Sequence, residues 1–241
     1  MRTVGLLGGM TYEASALYYK IINDHVRERL GGQKSASIIL HSFNFQPLLE
    51  NMNAGRWGSV IDLFTSAIHP MKAAGAEAFV ICANYPHKVA DEVVEKSGLP
   101  VLHIADFTAT KILRRKKRKV GLLGAKAVME EGYIKDRMRD KFGVEVLVPD
   151  EQSIRDRIHE ALVKNLTRGV VTKELRELLI SSAEKMIDDG AEGIILGSTD
   201  LAFALKPEDV DVELFDTNLL HAKGVGEWVI QDGSSDVSTS V

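Results

Sequence analysis

The chain carries the same short motifs twice, in the same order. The run GLLG at residues 5–8 recurs at 121–124, which is 116 positions later. Cys82 and Ser198, each at the end of an apolar run, also stand 116 positions apart. A repeat of this length indicates two copies of one folding unit, so a fold predicted for the first half must also suit the second.

Short β-branched runs alternate with longer amphipathic stretches in both copies. The predicted strands are TVGLLG, SASIILHS and AFVIC in the first copy and KVGLLG, VEVLVP and GIILGS in the second. Residues 102–104 and 214–216 are predicted as further strands that each run into a helix. Helices are predicted at residues 12–29, 59–74, 105–113, 129–141, 154–163 and 173–189. This alternation is typical of βαβ units and predicts an α/β protein with a parallel sheet in each half.

The composition excludes several classes of function. Of 241 residues, 45% are hydrophobic and 27% are charged, which is ordinary for a soluble globular protein. A formal net charge of −4 gives no broad positive field for nucleic acid, and no apolar run reaches the roughly 20 residues of a membrane span. The N-terminal apolar run is too short for a signal peptide, and a single cysteine fits a reducing compartment. We therefore expect a cytoplasmic protein with no nucleic-acid partner and no membrane partner.

Two polar segments carry less information about function. The basic run at residues 114–119 lies between a predicted helix and a predicted strand, so we interpret it as a solvated connector in preference to a nucleic-acid site. Residues 233–241 (GSSDVSTSV) are small and polar with almost nothing to bury, and we predict that this tail is disordered.

Cys82 and Ser198 are the leading candidates for a functional site. Ligands of open parallel sheets bind outside the carboxyl ends of the strands, and both residues are predicted there. A free cysteine is often only a small core residue, but its place at a strand end favours a thiol that titrates close to neutrality and transfers a proton. Ser198 is interpreted as a hydrogen-bond donor to an anion, with a helix N-cap ahead of Asp200 as the alternative. If the halves pack about an approximate dyad, the two residues approach one bound molecule from opposite sides.

The turn after the first strand is a second candidate. Gly8, Gly9, Met10 and Thr11 open a predicted helix, where N–H groups and the helix dipole are expected to face a small carboxylate. The G-x-G-x-x-G spacing of dinucleotide sites is absent. Lys164 is a candidate partner for a distal carboxylate, although such a lysine is more often a surface residue. No two histidines show the spacing of metal ligands on a helix, so no metal site is predicted.

With these residues assembled, the sequence resembles the aspartate/glutamate racemase family, the cofactor-independent amino-acid racemases that move a Cα proton between two cysteines. The resemblance extends from residue 3 to about residue 230, and its anchors are GGMTYEAS at 8–15, CANYPHKVA at 82–90, GLLG at 121–124, ILGSTDL at 195–201 and FDT at 215–217. It implies two pseudo-symmetric Rossmann-like lobes with the active site in the cleft between them. The implied lobes are residues 1–100 with 213–232, and residues 101–212. It also implies a homodimer.

The resemblance also implies roles for individual residues. Cys82 matches the first base, Asn84 and Thr199 match residues that bind the charged ends of the substrate, and Lys164 matches a position that meets the side-chain carboxylate. No PLP or other cofactor is implied, and the expected partner is a small carboxylate or amino-acid substrate. The remaining expected substrate-binding residues are Gly9, Met10, Thr11, Tyr85, Ala125 and Val128.

The chain departs from the family pattern at four positions. Ser198 stands where the family has its second cysteine, so proton transfer between two thiols is not possible as the sequence is written. Ala125, Val128 and Tyr85 stand where threonines are usual. Each missing hydroxyl removes a hydrogen bond to a carboxylate, worth about 1 kcal/mol or more.

Three functions remain open on the sequence alone. The first is a racemase-type enzyme for an acidic amino acid, with Cys82 as the base. The second is a divergent one-thiol decarboxylase or isomerase, for which the less polar residues at positions 125, 128 and 85 argue. The third is a non-catalytic homologue that only binds a ligand. Whether the serine is native or replaces a catalytic cysteine does not follow from the sequence.

Overall fold

The computed structural model describes residues 1–166 and 170–231, and the predicted tail at 233–241 lies outside them. Strands and helices alternate along both halves. The strands in these ranges are β1 (Thr3–Gly8), β2 (Ser37–Ser42), β3 (Ala78–Ile81), β4 (Lys119–Gly124), β5 (Glu145–Leu147), β6 (Gly193–Gly197) and β7 (Glu213–Asp216). The helices are α1 (Tyr12–Leu30), α2 (Phe45–Asn53), α3 (Trp57–Ala73), α4 (Ala90–Ser97), α5 (Ile104–Arg114), α6 (Lys126–Glu130), α7 (Gly132–Phe142), α8 (Gln152–Lys164), α9 (Lys173–Asp188), α10 (Leu201–Ala204) and α11 (Thr217–Ile230).

The strands form two parallel sheets with a common topology. The first sheet has the order β2-β1-β3, and the second has the order β5-β4-β6-β7. In each, the strand that carries GLLG lies between the next two strands of its half. The prediction of an α/β fold with one parallel sheet in each half is confirmed.

The chain divides into two compact units. The first comprises Met1–Ile104 with the chain from His221 onward, and the second comprises Ala105–Leu220. The family resemblance implied that residues 213–232 belong to the first lobe, and for β7 this is wrong. Parallel pairing of Ile195 with Phe215 makes β7 the edge strand of the second sheet.

The glycines of the repeated GLLG motif have the same physical role in both units. A Cβ atom on Gly5 would lie 2.7 Å from Sδ of Met71 on α3. A Cβ atom on Gly121 would lie 2.9 Å from Sδ of Met186 on α9. Both distances are shorter than van der Waals contact, so a larger residue at either position would require the methionine side chain to move. The repeat in the sequence therefore records a repeated strand–helix contact.

Each unit has its own apolar core. In α3 the buried side chains recur every three or four residues, which is the pattern of a helix with one face in the core. The buried apolar residues of this face are Val60, Phe64, Ala67, Ile68 and Met71. In α9 the same spacing buries Leu175, Leu178, Leu179, Ala183 and Met186.

Three local predictions differ from the structure. The helix predicted at 129–141 is split into α6 and α7, because Glu131 has extended backbone angles. Residues 102–104 do not form a strand; a single bridge joins Phe79 to Val101, and α5 begins at Ile104. Helices α2 and α4 were not predicted because both are short, and the Asn44 cap at the start of α2 was not considered.

The basic run forms the connection between α5 and β4. Arg115 pairs with Glu213 at 2.9 Å, and the Lys117 ammonium donates to the Glu192 carbonyl at 2.6 Å. The Glu192 carboxylate accepts from the backbone N–H of Arg118. Acidic residues of the same unit therefore face much of this charge. Among the helices of the described ranges, none has both the length and the apolar character needed to cross a membrane.

Candidate functional site

The carboxyl ends of the strands in the first unit bring the predicted residues of that unit to one edge. Parallel register pairs Leu7 with Ile81 and Gly8 with Ser42. Cys82 follows β3 directly, and its backbone N–H donates to the Leu7 carbonyl at 3.0 Å. The sheet therefore fixes the chain at Cys82 beside the turn that follows β1.

Cys82 has no solvent-exposed surface. This burial raises the pKa of its thiol well above the ordinary value, because the apolar surroundings disfavour the thiolate. The expectation of a thiol that titrates close to neutrality is therefore wrong for this structure. Burial therefore favours the neutral thiol over the thiolate.

The turn after β1 is held by a side chain that the sequence analysis did not single out. The Ser15 hydroxyl accepts from the Gly9 N–H at 2.7 Å and donates to the Thr11 carbonyl at 3.0 Å. The peptide bond between Met10 and Thr11 is cis. Because the Gly9 N–H is already bonded to serine, the prediction that it faces a ligand carboxylate is wrong.

Met10 and Thr11 have distinct places in this turn. The Met10 side chain is buried and belongs to the core of the first unit. The Thr11 hydroxyl accepts from the Ala14 N–H at 3.5 Å and caps α1. A hydroxyl that accepts one hydrogen bond can still donate its own proton to a ligand.

Residues 84–89 continue from Cys82 as a short connection to α4. Asn84 is buried, and a 3-10 turn, Tyr85–Val89, follows it. The Tyr85 ring packs edge-on against Trp57, with ring centroids 5.2 Å apart. Tyr85 therefore presents an aromatic group where the family pattern has a small hydroxyl.

Three histidines that are far apart in the sequence meet in the first unit. His87, His103 and His221 are all buried. The ring centroid of His87 lies 4.6 Å from that of His103 and 5.8 Å from that of His221. Within residues 1–166 and 170–231, neither these histidines nor any other group of three His, Cys, Asp or Glu side chains is arranged so that it could hold a metal ion. This cluster could not be recognised from the sequence, because its members lie on three separate segments.

Ser198 and Thr199 follow β6 as Cys82 and Ala83 follow β3. Ser198 is half-buried, and its carbonyl accepts from the Leu201 N–H at 3.3 Å. Helix α10 begins after Asp200, so the alternative role of Ser198 as its N-cap is wrong. The Thr199 hydroxyl accepts from the Asn218 side chain at 3.0 Å, which leaves the hydroxyl proton available to a ligand.

The turn after β4 presents apolar groups at the same edge of the second sheet. Val128 is buried, and its Cγ1 would lie 3.0 Å from a Cβ atom on either Gly124 or Gly197. Ala125 packs partly against the core of this unit. Val128 therefore fills the space next to the end of β6, and neither residue supplies a hydroxyl.

Asp216 ends β7 at this edge. Its carboxylate accepts from the backbone N–H groups of Asn218 and Leu219 at 3.0 and 3.1 Å. Burial nevertheless raises the pKa of this carboxyl group, and the two hydrogen bonds only partly offset the effect. In the sequence, Asp216 stands out only as part of the FDT motif at 215–217.

Lys164 is the predicted residue with the most exposed side chain, at 67%. It ends α8 and forms an ion pair with Glu160, one helical turn earlier. This contact is the usual one for a surface lysine on a helix. The role of Lys164 toward a substrate stays a prediction.

Known proteins share both the sequence pattern and the fold. The family model for Asp/Glu/Hydantoin racemases matches residues 7–225. A candidate Asp/Glu racemase from Yersinia pestis is 36% identical, with a TM-score of 0.91 over 96% of this chain and 100% of that chain. An aspartate racemase homologue from Pyrococcus horikoshii OT3 is 31% identical, with a TM-score of 0.82 over 96% and 100%. The aspartate racemase of Picrophilus torridus has the same fold at 18% identity, with a TM-score of 0.69 over 95% and 93%. The chain therefore belongs to the Asp/Glu/Hydantoin racemase family.

Proposed function

We propose that this protein moves the Cα proton of a small acidic amino acid without a cofactor, with Cys82 as the group that transfers the proton. One observation carries the proposal: Cys82 directly follows β3, and Ser198 directly follows the corresponding strand β6. The similarity to a candidate Asp/Glu racemase and to an aspartate racemase homologue supports aspartate or glutamate as the substrate.

The chemistry must overcome the low acidity of an amino-acid Cα–H. The Cys82 sulfur takes the proton as a thiolate, and the electron pair of the broken C–H bond stays on the Cα atom and its carboxylate. Burial raises the pKa of Cys82, so the thiolate forms only beside a positive charge. The α-ammonium group of an amino-acid substrate supplies that charge, so the Cys82 thiol releases its proton to water when the substrate binds and becomes the base.

The remaining predicted residues bind the substrate in this proposal. Asn84 and Thr199 hold its charged ends, the Thr199 hydroxyl by donating the proton that its bond to Asn218 leaves available. Thr11, as a hydroxyl donor in the turn after β1, and Tyr85 complete the polar groups. Ala125 and Val128 lie beside the substrate, and Lys164 meets the distal carboxylate. A homodimer remains the expected assembly.

Ser198 makes proton transfer one-sided. An unassisted hydroxyl is far less acidic than a thiol, so Ser198 does not deprotonate the second face of the Cα atom. We expect the protein to exchange the Cα proton of one enantiomer with solvent while converting little of it into the other. This outcome differs from that of a two-cysteine racemase, which exchanges and inverts together.

Deuterium exchange tests the proposal. The protein is incubated in D2O with each enantiomer of aspartate and glutamate; NMR measures loss of the Cα–H signal, and chiral chromatography measures inversion. We expect exchange without inversion for one enantiomer, no exchange with Cys82→Ala, and a gain of inversion with Ser198→Cys. Ser181→Cys is the matched control, because it adds a second thiol at an exposed position on α9. No exchange by the parent protein and no gain with Ser198→Cys would overturn the proposal.

A second candidate function is decarboxylation of a substituted malonate. The raised pKa of Cys82 favours it, because a neutral thiol is ready to donate a proton. A C–C bond breaks, CO2 leaves, and the carbanion takes the proton from the Cys82 sulfur, which then recovers a proton from water. Release of CO2 from a 2-substituted malonate, lost in Cys82→Ala and accompanied by no exchange on amino acids, would favour this function over the first.

A further inference from the structure

The hydrogen bonds of His87 fix its tautomer and charge. Its Nδ1 lies 2.7 Å from the Ala83 carbonyl, which can only accept, so this nitrogen carries the proton. Its Nε2 lies 3.3 Å from the backbone N of Ile104, which can only donate, so this nitrogen accepts. His87 is therefore a neutral imidazole that joins the residue after Cys82 to the start of α5.

His221 holds the other end of the same short segment. Its Nε2 donates to the Leu102 carbonyl at 2.7 Å, so its Nδ1 accepts from the Tyr18 hydroxyl at 2.9 Å. Both rings are buried, and Tyr18 is 1% exposed. The segment from Leu102 to Ile104 is therefore bonded at one end to His221 and at the other to His87.

Hydrogen bonds hold the backbone on both sides of Cys82. The chain is held on the N-terminal side by the bond from the Cys82 N–H to the Leu7 carbonyl. On the C-terminal side, the Ala83 carbonyl is held by the Nδ1 proton of His87. The backbone that carries the sulfur is therefore held on both sides, and on the C-terminal side it is held by the imidazole of His87.

We infer that His87 is a positioning residue that holds the Cys82 sulfur in place through the Ala83 carbonyl, with His221 and Tyr18 supporting it through the Leu102–Ile104 segment. The expected effect on kcat rests on the proposed function. The expected effect on the exposure of the thiol does not, because the backbone at Cys82 is held whether or not the protein turns over a substrate.

Two substitutions at one position separate the two hydrogen bonds of His87. The side-chain nitrogen of His87→Asn reaches the place of Nδ1 and keeps the bond to Ala83, but it loses the bond from Ile104. The longer His87→Gln places its amide oxygen near Nε2, so it keeps the bond from Ile104 and loses the one to Ala83. Each variant loses one of these two hydrogen bonds, so a general structural role for the imidazole predicts similar effects.

Alkylation by iodoacetamide measures the position of the thiol. The chain has one cysteine, so the rate reports Cys82 alone, and the side chain must become exposed before it reacts. We expect His87→Gln to speed alkylation about tenfold and His87→Asn to change it less than about threefold. Urea unfolding of both variants checks that their stabilities match. Tyr18→Phe, which keeps the ring and removes only the hydroxyl, is expected to speed alkylation about threefold.

Activity provides a second measurement. With an exchanging substrate, we expect His87→Gln to lower kcat with little change in KM, and His87→Asn to retain most of kcat. Equal alkylation rates for the two matched variants would overturn the inference, and so would a faster rate for His87→Asn than for His87→Gln. If either variant does not fold, an unchanged rate in Tyr18→Phe overturns it. Absence of activity in the parent protein would instead contradict the proposed function and leave the alkylation test intact.

Discussion

Substitution of Gly9 by alanine tests how tightly the turn after β1 is built. Gly9 has φ of +86°, a conformation that residues with a side chain adopt at a cost of about 1–2 kcal/mol. Gly75 has φ of +93°, but a Cβ atom there would meet nothing within 4 Å. Gly75→Ala therefore measures the cost of the backbone conformation alone, and Gly9→Ala adds the cost of its surroundings.

The surroundings of Gly9 are rigid. A Cβ atom at this position would lie 2.3 Å from the Phe43 carbonyl oxygen and 2.5 Å from the Phe43 nitrogen. Phe43 cannot move freely, because its N–H donates to the Gly8 carbonyl at 3.1 Å and its ring lies 5.4 Å from that of Phe64 in the core. We expect the overpacking to cost about 1–3 kcal/mol and the strained hydrogen bond about 1 kcal/mol. Gly9→Ala should thus lower the free energy of unfolding by about 2–4 kcal/mol more than Gly75→Ala does.

Urea unfolding followed by tryptophan fluorescence measures this difference. The chain's two tryptophans, Trp57 and Trp228, both belong to the first unit, as do both glycines. The signal therefore reports the unit that carries the substitutions. Equal midpoints for Gly9→Ala and Gly75→Ala would refute the reasoning, because the contact with Phe43 would then carry no cost.

Two further predictions follow from the pKa shifts. Because burial raises the pKa of Cys82, the logarithm of its alkylation rate in the folded protein should rise with unit slope up to about pH 10, whereas the thiol of the urea-unfolded chain should level off above about pH 8.5; a plateau near pH 8.5 in the folded protein would contradict this. Because the pKa of Asp216 is raised, the folded state keeps the proton of this carboxyl group to higher pH than the unfolded state does. The stability that the protonated carboxyl contributes is therefore complete below the unfolded-state pKa and is lost as pH rises through the folded-state pKa. Asp216→Asn, which can still accept the two backbone bonds, should therefore be more stable than the parent at pH 7, with the difference vanishing near about pH 4 in thermal unfolding; an equal or lower melting temperature at pH 7 would contradict it.

The features that the sequence predicted best depend on contacts that repeat. The runs around Gly5 and Gly121 could be recognised as equivalent because each glycine lies against a methionine of a packed helix, at Met71 and Met186. The same close contact between a strand and a helix occurs in both units, so glycine occurs at the same place in both. The ends of β3 and β6 were predictable for the same reason, which is why Cys82 and Ser198 were located correctly at strand ends.

The features that were missed depend on contacts between distant segments. His87, His103 and His221 share no spacing that a single sequence reveals, since the topology alone brings them together. The pairing of β7 with β6 was likewise missed, because an apolar run of four residues does not specify which sheet it joins. The pKa of Cys82 could not be predicted for a related reason: the motif CANYPH contains polar residues, but whether they solvate the thiol depends on how the chain folds around it.

In the proposed function, the buried Cys82 thiol and the serine at position 198 together limit the direction of proton transfer. A neutral Cys82 cannot remove a proton until a cation lowers the cost of its thiolate, and an amino acid brings that cation on the atom next to the reacting carbon. A substrate without an ammonium group brings no such charge, so toward it the same thiol acts only as a proton donor. If Cys82 transfers the Cα proton as we propose, the charge of the substrate determines which half of the racemase reaction it performs, because the Ser198 hydroxyl is too weakly acidic to form a second base. A comparison of Cα exchange on aspartate with proton delivery to a malonate therefore measures whether Cys82 acts as a base or as a proton donor toward each substrate.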